Sequence, residues 1–289
     1  MEFSVASRLE QGAIIADVTA PEADKTTQYA YYLYEKTQGV LEKRMYTGDT
    51  TCSFQPPSSG QYYVRAFVRS WPDGLQKEPV TVAKNSNTVT YYLRKSIPYE
   101  RLKAERFRSA EGTVYDIVWN GVHFEFFIHY KPESTRAVIL GTGDVGGTKL
   151  RPSFDRISWA KELPGTAIYY FDPTVYLGES TIGWGYGTND RWYLEDMAFL
   201  LHTILTKLGI SAENTLFYGS SAGGYMSMCL AAMLESRATV INPQFIVENF
   251  WPRLVERFKQ SCLKEGESLF PERTHTSALF QREGYFPPL

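Results

Sequence analysis

Residues 215–234 read TLFYGSSAGGYMSMCLAAML, and a change of pattern in the middle of this stretch decides the fold. Leu216, Phe217 and Tyr218 make an apolar run of strand type. Tyr225, Met228, Cys229, Ala232 and Met233 then recur at helical spacing. Between them lies Gly219-Ser220-Ser221-Ala222-Gly223-Gly224. A strand that enters a helix through G-x-S-x-G makes a nucleophile elbow. The bend has no room for a Cβ two residues before or after the serine, because neighbouring backbone passes close by. Ser221 is therefore expected at the tip of the turn with its hydroxyl exposed. The Ala222 N–H, at the helix N-terminus, is expected to point where an oxyanion would form. The strand before, the helix after and the additional Gly224 favour an elbow over a turn of small residues that only pack.

Working outward, residues 1–94 contain only strand-like runs. Residues 13–18, 29–34, 40–46, 62–69, 79–83 and 88–93 are the clearest. Along 62–69, Tyr62, Val64, Ala66 and Val68 alternate with Arg65 and Arg69. Turn signals at Pro56-Pro57-Ser58-Ser59-Gly60 and Pro72-Asp73-Gly74 separate the runs. About seven short strands in this space suggest an all-β immunoglobulin- or fibronectin-like sandwich. Nothing in it has the pattern of a catalytic site. Residues 95–112 are charged and poor in apolar positions, which reads as a linker with a short helix near 99–107.

From 113 to 289 the pattern is mixed α/β. Residues 114–119 and 123–130 form a hairpin across Asn120-Gly121, a strong turn signal. Strands follow at 136–140, 167–171, 215–218 and 238–241. Helices are expected at 154–163, 192–208 and 245–263, with an irregular tail. Written from residue 112, the order is β-β-β-α-β-α-β-α-β-α with Ser221 after the fifth strand. That is the opening order of an α/β-hydrolase-like parallel sheet, in which the last two strands are missing.

Bulk properties bound the function. With 289 residues and 43% hydrophobic content, the chain suits one large or two ordinary globular domains. A net charge of -2 gives no electrostatic reason to expect nucleic acid or an acidic membrane as partner. Cys52, Cys229 and Cys262 are far apart and suit reduced core thiols. No histidine, cysteine and carboxylate cluster has ligand spacing, so neither a metal nor a cofactor is expected. No segment is long and apolar enough to span a bilayer, and the N-terminus lacks a signal-peptide core. A cytoplasmic location is expected.

Several pieces together resemble a bacterial α/β-hydrolase-like family of capsular polysaccharide biosynthesis (XcbB/CpsF type), related to the accessory Sec-system glycan O-acetyltransferase. They are the segment 154–159 (FDRISW), Asp172-Pro173-Thr174, Gly183-Trp184 through Gly187-Thr188, the elbow, and Asn242-Pro243-Gln244. They span roughly residues 135–245, under half of the chain. The resemblance implies a role at a surface glycan, with capsule-biosynthesis proteins as partners and addition or removal of an acyl group as the reaction. The acyl donor stays open. Two readings follow: a serine acyl esterase or O-acyltransferase, or a noncatalytic glycan-binding or scaffold protein.

A serine nucleophile needs a base, and the base needs an orienting acid. In this fold the chain order is Ser, acid, His. Of four histidines, His123, His129 and His202 precede Ser221, and only His275 follows it. Glu248 and Glu272 are the carboxylates at hand. His275 lies outside any strand-supported loop, so the reading favours a truncated or noncatalytic chain over a competent His275. Thr142 and Gly143, after the third strand, are the expected second oxyanion donors. Trp184, Tyr186, Asp172 and Arg156 are the candidate substrate contacts, with Trp184 and Tyr186 either stacking on a sugar or anchoring their loop. Lys149 and Arg151 are cations that would meet an anionic sugar.

Overall fold

The computed structural model describes residues 2–71, 78–107, 112–146 and 151–288. The 72–74 turn, Gly147 and Lys149 lie outside the described residues. The chain divides into two compact units, Met1–Leu93 and Arg94–Leu289.

The first unit is built from eight antiparallel strands: β1 (Ser4–Glu10), β2 (Ala13–Thr19), β3 (Gln28–Glu35), β4 (Gly39–Thr47), β5 (Thr51–Phe54), β6 (Gly60–Ser70), β7 (Val80–Asn85) and β8 (Val89–Tyr91). They form a three-stranded sheet, β1-β2-β5, and a five-stranded one, β4-β3-β6-β7 with β8 also on β6. The alternation along β6 does what its pattern predicts: Tyr62, Val64, Ala66 and Val68 are buried, whereas Arg65 is exposed. Ile14, Ala16 and Phe54 from one sheet meet Tyr31, Leu33 and Val64 from the other in one core. Strand β1 escapes a pattern reading because Ser4–Glu10 buries only Ser7.

The second unit begins with β9 (Arg94–Pro98) and a single turn of helix, α1 (Tyr99–Leu102), in the stretch expected as linker. Strand β9 pairs parallel with the next strand. Its charged residues sit on the sheet edge and only Ile97 is buried, so composition hid it. Then come β10 (Thr113–Trp119), β11 (Val122–His129), β12 (Ala137–Gly141), β13 (Thr166–Tyr170), α2 (Tyr193–Leu208), β14 (Thr215–Ser220), α3 (Ala222–Met233), β15 (Arg237–Ile241), α4 (Pro252–Cys262) and α5 (Thr276–Glu283). The β10–β11 turn uses Asn120 (φ 47°) and Gly121 (φ 77°), both left-handed, as a tight hairpin requires.

The sheet order is β15-β14-β12-β13-β11-β10-β9. Strands β12, β13, β14 and β15 are mutually parallel and β11 is antiparallel to both its neighbours. This is the interleaved order of the α/β-hydrolase sheet with one added edge strand. Among the described residues no strand follows β15; the Ala238 N–H on its free edge is donated to the Pro288 carbonyl at 3.1 Å. Ile139, Ile168 and Phe217 on one sheet face pack with Leu201, Ile204, Met226 and Leu230 of α2 and α3.

Three element expectations are corrected. The 154–163 helix is only a 3-10 turn at Ile157–Trp159, preceded by Arg156 in the left-handed region (φ 61°), where no helix can pass. The 245–263 helix is a 3-10 turn at Val247–Asn249 followed by α4, which starts at Pro252 because proline suits a first helical turn. The tail holds α5, closed by Gly284 at φ 67°.

Candidate active site

Ser221 sits between β14 and α3 at φ 54°, ψ −128°, a conformation that costs a non-glycine residue about 1–3 kcal/mol. The surrounding backbone imposes it. A Cβ on Gly219 would lie 2.2 Å from the Gly223 carbonyl oxygen, and one on Gly223 would lie 2.5 Å from the Gly141 oxygen. Both glycines of G-x-S-x-G are thus fixed by close backbone approach. The Ser221 N–H is donated to the Ile241 carbonyl at 3.0 Å, which ties the turn to the end of β15. The first bond of α3 runs from the Tyr225 N–H to the Ser221 carbonyl at 3.0 Å. The N–H groups of Ala222, Gly223 and Gly224 precede it and have no carbonyl in their own helix, so the turn ends in a donor-rich helix N-terminus.

The Ser221 hydroxyl accepts a hydrogen bond from Gln244 Nε2 at 3.2 Å. The amide orientation is fixed from its other end, where the Trp184 indole Nε1–H, a donor only, is given to Gln244 Oε1 at 3.1 Å. Gln244 is the residue that sequence reasoning missed. Its signal was its place just after the strand beside the elbow, within Asn242-Pro243-Gln244.

Loop 141–143 lies against the elbow. A Cβ on Gly143 would come 3.7 Å from Ser221 Cβ. The Gly143 N–H, however, is donated to Asp155 Oδ2 at 3.3 Å, so an oxyanion would have to compete with a carboxylate for it. Thr142 is buried and its hydroxyl braces the Ser153 carbonyl at 3.0 Å.

His275 stands at the N-terminus of α5 with Nε2 3.4 Å from Glu248 Oε2. Glu248 Oε1 also accepts from the Thr274 hydroxyl at 2.9 Å. The two side chains therefore lie close together, in the chain order Ser221, Glu248, His275. Among the described residues no histidine hydrogen-bonds Ser221 Oγ. Glu272 lies in the 3-10 turn Pro271–Arg273.

The other candidates turn out to be braces. Trp184 and Tyr186 have no exposed surface, which corrects the reading of either as a sugar platform. Trp184 packs edge-on against Phe250 and Phe258, with ring centroids 5.7 and 5.1 Å away. The Tyr186 hydroxyl bonds Asn189 and accepts the Phe270 N–H. Asp172 is buried too; its carboxylate accepts the Thr174 N–H at 2.9 Å and the Gly185 N–H at 3.0 Å. Burial pushes the Asp172 carboxyl above the ordinary value, and those backbone N–H groups hold it back. Arg156 is half-buried, donates to Ser220 Oγ at 3.2 Å and lies over the Tyr218 and Trp159 rings. Among the described residues no cluster of three metal-ligating side chains occurs, and no helix is long and apolar enough to cross a membrane.

No family model and no curated protein matches the chain. Among solved structures, the glycosylation-associated Gap123 complex of Streptococcus agalactiae aligns with 98% of this chain at 14% identity and a TM-score of 0.39. The capsule O-acetyltransferase of Neisseria meningitidis serogroup A aligns with 50% at 19% identity and 0.38. An S-formylglutathione hydrolase of Agrobacterium tumefaciens aligns with 63% at 13% identity and 0.43. This chain spans 49%, 59% and 76% of those chains, respectively. The fold assignment rests on strand order and the elbow, not on these likenesses.

Proposed function

We propose that this chain is a serine-nucleophile acyl esterase or O-acyltransferase acting on a bacterial capsular or surface polysaccharide or its precursor. The observation that carries the reading is the backbone of Ser221, held at φ 54° by close-packed glycines at the mouth of α3. Ser221 Oγ attacks an acyl carbonyl, the carbonyl π electrons move to oxygen, and the Ala222 N–H stabilises the resulting oxyanion. The hydroxyl proton leaves to a base. His275, oriented by Glu248, is the base this reading nominates, since it alone of the histidines follows Ser221 in the chain. The leaving alcohol or thiol takes the proton, and water or a sugar hydroxyl then accepts the acyl group.

The glycan part of the proposal draws on the segments that carry the family resemblance, which are linked in space. Asp172 holds the backbone at Gly185, Trp184 holds Gln244, and Gln244 holds Ser221. We read the Met1–Leu93 unit as an immunoglobulin- or fibronectin-like packing module in a cytoplasmic capsule-assembly system. Its two sheets share one core, and the Tyr62 hydroxyl is donated to the Ser58 carbonyl at 2.7 Å, a tyrosine corner of the kind such sandwiches use.

A fluorophosphonate probe tests the assignment. It is expected to label Ser221 in the folded chain and to leave Ser221→Ala unlabelled. His275→Ala is expected to slow labelling about a hundredfold or more if it serves as base. An unchanged rate would set His275 aside without touching Ser221, whereas no labelling of folded wild type would count against the serine itself.

A further inference from the structure

Away from the elbow, the second unit contains a pocket of about 380 Å³ lined in part by Arg94, His123, Glu125, Arg151, Tyr176 and Leu177. It opens beside the β10–β11 turn and the residues that follow β13. Strands β10 and β13 both run antiparallel to β11, so this turn lies at the sheet edge where β13, β12 and β14 end. In open α/β sheets ligands bind outside that edge. Three inter-strand steps separate β11 from β14, about 14 Å, so the pocket is distinct from Ser221.

Its polar groups are unevenly satisfied. Glu125 is buried; one carboxylate oxygen is taken by Arg94 and the other by the Tyr176 hydroxyl at 2.5 Å. Asp116, its cross-strand neighbour, accepts from His123 Nδ1 at 2.9 Å and lies 3.3 Å from Arg94. The acceptors are thus already engaged. Donors remain. A guanidinium has five N–H groups. Arg94 commits one nitrogen to the two carboxylates. Arg151 donates to the Val175 and Ser180 carbonyls and, among the described residues, has no carboxylate partner. The walls include Val122, Pro173 and Tyr193, and Tyr176 and Leu177 stand exposed at the rim, 45% and 37% accessible. Guanidinium N–H donors left over beside apolar walls, in a cavity of ligand size, suit an acceptor-rich anionic group on a compact, partly apolar ring.

We infer that this pocket binds an acidic sugar through its carboxylate or phosphate, held by Arg94 and Arg151 with the ring against Tyr176 and Leu177. The site is independent of the chemistry proposed for Ser221. Titration calorimetry of the full chain with glucuronate, glucose 6-phosphate, inorganic phosphate and glucose tests it, and the two acids tell carboxylate from phosphate recognition. At least one acidic sugar is expected to bind, and glucose to bind at least roughly tenfold more weakly. Arg151→Gln is expected to weaken the acid by roughly tenfold. Leu177→Trp, at an exposed rim position that does not threaten folding, is expected to block the pocket and abolish binding. Ser221→Ala is expected to leave it unchanged. The inference is overturned if neither acid binds, if glucose or inorganic phosphate binds as tightly as the acidic sugars, or if binding survives Leu177→Trp.

Discussion

At Gly219, a methyl group would have to share space with the Gly223 carbonyl oxygen, 2.2 Å from its ideal position. Because the obstacle is backbone, the elbow itself must move. Gly219→Ala is therefore expected to cost about 3 kcal/mol, measured as a lower urea midpoint at unchanged slope. Asp172 makes a second prediction. Its carboxylate accepts backbone N–H groups while burial raises its pKa above the ordinary 3.8. A raised folded value means the folded state keeps the proton to higher pH than the unfolded chain does. The stabilising contribution is thus full below about pH 4 and is lost as pH rises through the folded value. Asp172→Asn is expected to be destabilising, since an amide NH₂ then faces N–H donors, by about 1–3 kcal/mol. The gap between wild type and variant, from unfolding at a series of pH values, is expected to narrow from pH 4 upward. A gap that widens with pH would reverse the assignment.

At the scale of elements, the loop 183–188 decides between an anchored roof and a sugar platform. Trp184 is enclosed by Phe250 and by Phe258 of α4, and its indole N–H orients Gln244. Trp184→Ala is accordingly expected to cost about 3–5 kcal/mol, the price of removing a core aromatic. A solvent-facing platform would lose within about 0.5 kcal/mol, so a denaturation curve separates the two. The same loop shows what sequence leaves open. Alternating glycine and aromatic residues serve a sugar-facing loop and a buried one equally well. Only the partners, sixty or more residues away at Gln244 and Phe258, distinguish them. The elbow was legible because its constraint is local: strand, tight bend and helix lie within twenty residues. Strand β9 was not, because an edge strand that buries only Ile97 has the composition of a linker. The 245–263 region read as one helix because its apolar spacing continues across Pro252, the residue that begins α4.

At the scale of the molecule, the order of strands was legible from β10 to β15, since each parallel strand is an apolar run ending in a turn. What could not be read was how distant segments meet: Gln244 on Ser221, Glu248 on His275, and the donors gathered between β9, β11 and the 173–177 turn. Each joins residues more than twenty apart through side-chain geometry that periodicity does not encode. The central claim is that this fold presents Ser221 as a nucleophile. The most direct measurement incubates the whole folded chain with an activated acetyl ester, quenches in acid, and maps the acetylated peptide by mass spectrometry. The account predicts an acetyl ester on Ser221 and none at this position in Ser221→Ala. Acetylation confined to other residues, or absent from a chain shown to be folded, would contradict it.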